Sequence, residues 1–352
     1  MAERLLKEGY LLWDECVPTN SAGRPATRLR IAAARESFVA LSFRRGHAVA
    51  ARFDMGMREA ARERFPYPNA FYSSPEQLYG FPLVKAACFC DFVEECVRAM
   101  AGGTPRAIML SMPGNFVKNC RCFVSSPMSL AVRDDFLTLL REQSGVEVEM
   151  GNDSDFYAYA QKRPGQGNTY AFININTGVG AGVLQNGKLF RSGPRHATEI
   201  GHVSIDYRGR SCTCGSRGCL EQYISFGAIA ENASTAWGRP TSIQQVMQAF
   251  HEGDATAREV MRAVAEKLSF GLSGMMSVFE LPRLILGGGI ERFGDGFLEL
   301  LRRELAANAR YTVRDVAVQY PDTPEVDDLA GEIRYYIEEI WQIDTDIVLK
   351  GG

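Results

Sequence analysis

One of the chain's four histidines stands just ahead of three cysteines, within Glu199–Glu221. His202, Cys212, Cys214 and Cys219 follow the spacing H-x9-C-x-C-x4-C. One imidazole and three thiolates are a donor set for tetrahedral structural zinc. The residues between them are largely Gly, Arg, Ser and Thr, with little to bury. A metal that neutralises the thiolates would order a stretch that packing alone would leave loose. The plain alternative is a cluster of thiols in a loop.

Three carboxylates add to this. Asp153 ends a strand in Gly151-Asn152-Asp153, a position where α/β folds expose a side chain to a crevice. Glu199 and Glu221 flank the His–Cys segment. Three acids and a histidine beside a metal-ordered loop suit hydrogen bonding to sugar hydroxyls; each acid alone is equally an ordinary surface group. Two Gly-rich turns can bring backbone N–H groups close to an anion. Thr177, Gly178 and Gly180 belong to the first, and Gly287, Gly288 and Gly289 form the second, between a strand and a helix. Neither has the Walker or dinucleotide-binding spacing, and a tight turn without ligand fits each as well.

The elements that must hold these groups alternate between strand and helix. SFVALSFRRGHAVAARFD (37–54) has two apolar runs around a polar turn and reads as a hairpin. PLVKAACFCDFVEECVRAMAGG (82–103) has helical periodicity and a Gly pair as its stop. A buried strand at 106–114, an amphipathic helix at 133–145, and a strand turning into a helix at 146–161 follow. Residues 169–190 read as two strands around the first Gly-rich turn, and 282–305 as strand, Gly turn and helix. Repeated strand–turn–helix units predict an α/β architecture.

At 352 residues, 46% hydrophobic and 23% charged with net charge −3, the chain has a soluble globular composition long enough for two domains. No apolar run reaches membrane-span length and no signal peptide is evident, so a reducing cytoplasm is expected. Nine cysteines at irregular spacing make a poor disulfide framework. Cys88, Cys90, Cys96, Cys120 and Cys122 sit among apolar residues and read as small core side chains. Ten arginines between Arg24 and Arg64 face only Glu36, Asp54, Glu59 and Glu63. Such a segment can face nucleic acid or simply be a solvated surface.

EIGHVSIDYRGRSCTCGSRGCLEQY closely resembles the signature of the ROK family of bacterial repressors, open-reading-frame proteins and sugar kinases. SMPG resembles the family's Gly-x-Pro-Gly turn, GND its catalytic Asn-Asp, NTGVGAG its second phosphate loop and LILGGGI its adenosine-side turn. The resemblance implies the two-domain actin-like, hexokinase-like (ribonuclease H-like) ATPase fold, with α/β domains closing on a cleft and a zinc-ordered loop. It places Asn152, Asp153, Glu199, His202 and Glu221 on the sugar, with Asp153 as the base in a kinase. His202 would bind zinc and sugar through its two ring nitrogens. Thr177, Gly178, Gly180, Gly287 and Gly288 would be the nucleotide side, with ATP and Mg2+ as cofactors under the kinase reading alone.

The departures are as informative. Kinases of the family carry Asp-x-Gly-Gly-Thr in the first hairpin; here Ser42 stands at the Asp position and Arg44 and Arg45 at the two glycines. An acidic metal-side group is lost and long side chains fill phosphate space. SSPMSL lacks the family's usual Asn, and His196 and Thr198 replace small residues.

The N-terminal LLKEGYLLWDECVPTNSAGRPATRLRI resembles the end of a winged-helix domain of ROK repressors. Leu5, Leu6 and Gly9 would end a helix, Gly23, Arg24 and Pro25 would form the wing, and the preceding helices would be absent. Leu5, Leu6, Leu11, Leu12 and Trp13 would make a small apolar face that leans on the rest of the chain or a second subunit. Arg24, Arg28 and Arg30 would face DNA phosphates. The expected organisation is a winged-helix remnant at 1–31, a first α/β domain at 32–150 completed by a C-terminal helix around 328–345, and a second at 151–327 with the zinc loop. The resemblance points to a cytoplasmic, sugar-responsive transcriptional regulator with structural zinc and without kinase activity, a homodimer or homotetramer that binds DNA weakly and no membrane. The alternatives are an ATP-dependent hexose or N-acetylhexosamine kinase, and a sugar-sensing module that does not bind DNA.

Overall fold

The computed structural model describes residues 2–17, 26–117, 121–133, 135–163, 167–190, 198–308, 316–322 and 328–342. The chain divides into two units, Met1–Phe156 with Asp327–Gly352, and Tyr157–Val326.

The first unit opens with helix α1 (Ala2–Lys7) and an antiparallel pair, β1 (Leu11–Val17) and β2 (Ala26–Ile31). Gly23, Arg24 and Pro25 lie outside the described residues, as do the side chains of Arg28 and Arg30. The apolar face expected of Leu12 and Trp13 does not pack: they are 38% and 64% exposed. Tyr10 makes the contact instead, with the Arg35 guanidinium 4.5 Å above its ring and Trp341 edge-on at 6.1 Å. An aromatic between a cation and a second ring gives this short hairpin a hold that its own few apolar residues would not.

Next come β3 (Ser37–Arg44), β4 (His47–Asp54), β5 (Glu59–Pro66), β6 (Gln77–Leu78), β7 (Phe81–Val84), α2 (Ala86–Ala99) and β8 (Ala107–Ser111). They are followed by β9 (Asn115–Val117), β10 (Cys122–Ser125), β11 (Leu130–Arg133), α3 (Phe136–Ser144) and β12 (Glu147–Gly151). The main sheet runs β12-β8-β3-β4-β5, and a second runs β6-β7-β11-β10-β9. β12, β8 and β3 are parallel, and Gly151 and Ser111, which end β12 and β8, lie in register with Ser42, two residues before the end of β3. β3 is apolar at both parities because both of its faces are covered. Val39, Leu41 and Phe43 join a core with α2 and α3, while Phe38 and Ala40 join one with the C-terminal helix Asp328–Tyr335. Each buried Phe or Leu here contributes about 1.5–3 kcal/mol.

In α2, Phe89, Cys90, Phe92, Val93 and Cys96 form the buried stripe that the helical period requires. Burial pushes the Cys90 and Cys96 thiols up to about 12, as suits inert core groups. Cys122 is buried, Cys88 is half-buried, and Cys120 lies outside the described residues. From β4 the buried Arg52 donates to Ser37 Oγ (2.5 Å) and to the carbonyls of Met100 (3.1 Å), Gly102 (3.3 Å) and Gly103 (2.6 Å). One guanidinium thereby closes the end of α2. The C-terminal helix packs Leu329 and Ile333 on the sheet, and Tyr336 beyond it donates its hydroxyl to Glu147.

The second unit begins within α4 (Asp153–Ala160). It holds β13 (Tyr170–Ile175), β14 (Val179–Gln185), β15 (Lys188–Leu189), α5 (Glu221–Ile224), α6 (Phe226–Trp237), α7 (Ile243–Glu252), α8 (Ala255–Met276), β16 (Arg283–Gly287), α9 (Asp295–Asn308) and β17 (Ala317–Gln319). Its sheet runs β15-β14-β13-β16-β17, with β13, β16 and β17 parallel. The long α8 fills the core with Val260, Met261, Val264, Leu268 and Leu272. Among the described residues, no helix is long and apolar enough to cross a membrane.

Candidate functional site

The His–Cys segment is shaped by turns and short bridges. A 3-10 turn, Ile200–His202, presents the histidine. Ser204 bridges Cys219, and Ser211 bridges Arg217. Between them the Gly215 N–H donates to the Cys212 carbonyl (3.0 Å), and the Cys212 N–H to the Ser216 carbonyl (2.9 Å). Gly218 has φ +68°, and an added Cβ would collide with the Asp206 carbonyl, so this turn requires glycine.

The ligand atoms of His202, Cys212, Cys214 and Cys219 all lie within 4.8 Å of one another. Cys212 Sγ is 3.6 Å from His202 Nδ1, and Cys214 Sγ is 3.6 Å from Cys219 Sγ. Tetrahedral zinc with bonds of about 2.0–2.3 Å sets its ligands roughly 3.3–3.8 Å apart, so the donor set fits that ion. Burial and the neighbouring thiols push Cys219 up to about 12. Burial also pushes Cys214 up, but the Ser216 N–H and the adjoining thiols outweigh it and leave Cys214 below its ordinary value. Thiols crowded in this way compete for protons that a cation would displace. Gln222 Nε2 donates to Cys212 Sγ at 3.5 Å. The other ring nitrogen of His202, Nε2, is 3.8 Å from Glu199 Oε2.

Glu221 opens α5 directly after this loop, and its Oε2 accepts from the Val179 N–H at 3.0 Å. The preceding Leu220 is buried against Gly271 of α8, where an added Cβ would lie 2.5 Å from its Cδ2. In the turn around Thr177 and Gly178, the Asn176 N–H donates to the Gly178 carbonyl (2.9 Å) and the Thr177 N–H to Asn176 Oδ1 (2.9 Å). Gly180 pairs with Asn174 in the β13–β14 ladder. Several amides of this turn are thus engaged within the chain. After β16 the sequence expectation of a helix straight from the Gly turn is corrected. Gly287, Gly288 and Gly289 lead into a 3-10 turn, Ile290–Phe293, and α9 starts at Asp295. The Gly289 N–H is held by Glu291 Oε2 at 2.8 Å.

Asn152 and Asp153 belong to the first unit. The strand ends at Gly151, and Asp153 instead opens α4. Asn152 Oδ1 and Asp153 Oδ1 both accept from the Ser154 N–H at 2.9 Å, which caps the helix. Asp153 is half-buried. Its carboxyl is pushed up to about 7 by burial and by the nearby Asp328 charge, against the opposing pull of Ser154 and Arg44.

Asp328 is fully buried, and the residues around it stand at or near the strand ends. Its Oδ2 accepts from Ser42 Oγ (2.5 Å) and Ser111 Oγ (2.8 Å), and its Oδ1 is 3.3 Å from Arg44 Nη2. The Arg44 side chain reaches in from the surface, 43% exposed, with its Nε 3.4 Å from Ser42 Oγ. Sequence reasoning missed Asp328 and Ser111. An acid 286 positions from its serine partner carries no local signal, and Asp327-Asp328 reads as a solvated pair. Of the residues expected on the sugar, Glu199 lies near His202 and Glu221 on Val179 in the second unit, while Asn152 and Asp153 share the Ser154 amide in the first. His196 lies outside the described residues.

A family model described as the ROK family matches residues 86–331. A xylose repressor of Caldicellulosiruptor bescii is 26% identical over 231 residues, 60% of this chain and 58% of that protein. A glucokinase of Halalkalibacterium halodurans is 28% identical over 229 residues, 60% of this chain and 69% of that protein. The chain spans little more than half the length of the curated repressors it matches, 58% and 52% for those of C. bescii and Bacillus subtilis. Among solved structures, a ROK family transcriptional regulator described as a homologue of the E. coli MLC protein aligns with TM-score 0.75 at 17% identity, over 99% of this chain and 90% of that one. A ROK hexokinase from Thermus thermophilus aligns with TM-score 0.64 at 23% identity, over 86% and 99%. At such identities the likeness is one of fold: both structures share the actin-like, hexokinase-like α/β architecture.

Proposed function

Because the chain belongs to the ROK family, whose members similar to it include both repressors and sugar kinases, we propose that it is a sugar-responsive regulator of repressor lineage without kinase activity. The observation that carries this is the first hairpin. Ser42 stands where a kinase needs a metal-side acid, and its hydroxyl is engaged by buried Asp328. Arg44 occupies a position where glycine would admit phosphate, and it is paired with the same carboxylate. On the nucleotide side, the Gly289 N–H is held by Glu291. Thr177, Gly178, Gly180, Gly287 and Gly288 would then serve as structural turns.

In this reading the ligand is a sugar or sugar derivative that meets Asn152, Asp153, Glu199, His202 and Glu221, and His202, Cys212, Cys214 and Cys219 hold one structural zinc. The 3.6 Å donor spacings support the metal, and Glu199 beside the free edge of the His202 ring supports a polar ligand there. The zinc would supply charge neutralisation and rigidity; Nδ1 of His202 would face it, and Nε2 would be left to orient a hydroxyl. Residues 1–31 would resemble the end of a winged-helix domain and carry Arg24, Arg28 and Arg30, and a homodimer or homotetramer would be the working form. Contacts from these arginines to phosphates carry no base readout, so the DNA binding that they confer should be weak, salt-sensitive and sequence-indifferent.

The kinase alternative keeps one supporting observation, the Asp153 carboxyl at about 7, a suitable value for a general base. A single set of assays separates the readings. Thermal-shift and calorimetric screening of hexoses and acetylated hexosamines should find a ligand that Asp153→Ala abolishes, while magnesium-ATP yields no sugar phosphate. Turnover at ordinary kinase rates would overturn the regulator reading.

A further inference from the structure

The His–Cys segment offers a chemistry that metal binding does not use. Among the described residues Cys214 is the one exposed cysteine; Cys212 and Cys219 are buried, as are Cys90, Cys96 and Cys122, and Cys88 is half-buried. The Cys214 sulfur lies 3.6 Å from Cys219 Sγ. The third thiol of the cluster has partners of its own: Cys212 Sγ is 3.6 Å from His202 Nδ1 and takes the Gln222 Nε2 amide at 3.5 Å. The four donors thus divide into two pairs, one of which opens to solvent through a single sulfur.

We propose that Cys214 and Cys219 are a site of reversible oxidation by hydrogen peroxide or an organic hydroperoxide, and that the disulfide they form takes away two of the four donors for a metal. The second half rests on the zinc reading given above. Peroxide reaches Cys214 because that thiol is exposed, and Cys219 is too enclosed to meet it first. Cys214 Sγ attacks one peroxide oxygen; an S–O bond forms, the O–O bond breaks, and the departing hydroxide or alkoxide takes the Cys214 proton. Cys219 Sγ then attacks Cys214 Sγ; the S–S bond forms, the S–O bond breaks, and hydroxide leaves with the Cys219 proton as water. Two thiols give up two electrons to one peroxide, and with hydrogen peroxide the other products are two waters. Where the sulfurs begin as thiolates, solvent supplies the two protons.

The backbone decides which sulfur moves. A disulfide needs about 2.0 Å between sulfurs, so this pair must close by about 1.5 Å. Cys219 is fixed on both sides. Ser204 bridges it, the Leu220 N–H donates to the Val203 carbonyl at 2.9 Å, and Gly218 is wedged against the Asp206 carbonyl. Gly215, next to Cys214, has nothing within 4 Å of an added Cβ, so that side of the turn has room to shift. Oxidation therefore draws Cys214 inward onto Cys219. His202 and Cys212 remain as donors, too few for a tetrahedral structural site.

The test uses the full chain, supplied with zinc and freed of reductant. It is treated with hydrogen peroxide, alkylated with iodoacetamide and digested with trypsin without reduction. Cutting after Arg210 and Arg217 places Cys212 and Cys214 on one peptide and Cys219 on the next. The expected bond joins peptide 211–217 to the peptide that starts at Gly218, with the alkyl group on Cys212. A zinc-sensitive dye should register about one ion released per linked chain, and dithiothreitol with added zinc should restore both thiols and metal. Cys214→Ser should yield no linked peptide. Cys88→Ser, which alters the half-buried cysteine of α2, should yield as much as the native chain. A bond within 211–217, a link made through Cys212, or Cys214 driven to the sulfinic acid with Cys219 still alkylated would each overturn the pair. Linked chains that keep their zinc overturn the loss of donors to the metal. Link formation in a chain that never takes up zinc would support the thiol pair and overturn the metal reading beneath it.

Discussion

His202 turns its two ring nitrogens to different neighbours, Nδ1 to Cys212 and Nε2 to Glu199, where the family resemblance implied zinc on one and a sugar on the other. The four-donor spacing survives as a cluster because its turns are local. Cys214→Ser should reduce bound zinc from about one per chain to well below it. It should lower the melting temperature by on the order of 5 °C, the shift that about 2 kcal/mol produces in a unit of this size. Elemental analysis and a melting curve with and without chelator check this: chelator should shift the native protein and leave the variant unmoved. Asp153 supports a second expectation. Its folded carboxyl, near 7, lies above its ordinary 3.8, so between those values the folded chain holds a proton that the unfolded chain has released. Stability from this group is therefore full below about pH 4 and is lost as pH rises through about 7. Denaturant titrations from pH 4.5 to 7.5 should show that slope, and Asp153→Asn should reduce it.

Elements with strong periodicity were readable from the chain alone. The β3–β4 hairpin, α2, α3 and the strand–turn–strand of β13 and β14 fall where the apolar pattern sets them, because burial on a face repeats every two or 3.6 residues. What pattern could not supply was contact between distant segments. Asp328 joins Ser42 and Ser111 from the other end of the chain, and Tyr10, rather than Trp13, anchors the N-terminal hairpin. The Gly287–Gly289 turn was read as a helix start because glycines there look the same whether an anion or Glu291 meets the amide. Helix α8 gives a matched pair of tests at this scale. Gly271→Ala drives a methyl into Leu220, between Cys219 and Glu221, and should cost about 1–3 kcal/mol and weaken retention of any metal held by the His–Cys cluster. Gly274 on the same helix has nothing within 4 Å of an added Cβ, so Gly274→Ala should stabilise by about 0.5–1 kcal/mol. Equal effects from the two would mean that helix propensity, and not the Leu220 contact, is being measured.

For the whole molecule, the family was readable from the His–Cys signature, while the proposed regulator reading rests on a hairpin whose residues depart from that family's kinase pattern. Loss of the metal-side acid and of close phosphate approach should together slow phosphoryl transfer by on the order of 10³-fold or more. Coupled assays with magnesium-ATP on a panel of hexoses should therefore stay at background. The double change Ser42→Asp with Arg44→Gly should leave them there, because the Gly289 amide is still occupied. Recovery of turnover in that variant would show that the hairpin alone had silenced the enzyme.

The guanidinium of Arg52 has one more consequence, in the susceptibility of the chain to proteases. It holds the carbonyls of Met100, Gly102 and Gly103, and the surrounding residues Ala101, Gly102, Gly103 and Thr104 are all exposed. No side chain of that loop offers an apolar grip of its own. A lysine at position 52 has a single ammonium and cannot span three carbonyls in a plane. Under brief trypsin treatment the native chain should keep the peptide bond after Arg98 intact, sheltered in the last turn of α2. Arg52→Lys should be nicked there first, at a temperature where the rest of the molecule is still folded, so that one lost guanidinium is read out as a cut in the backbone.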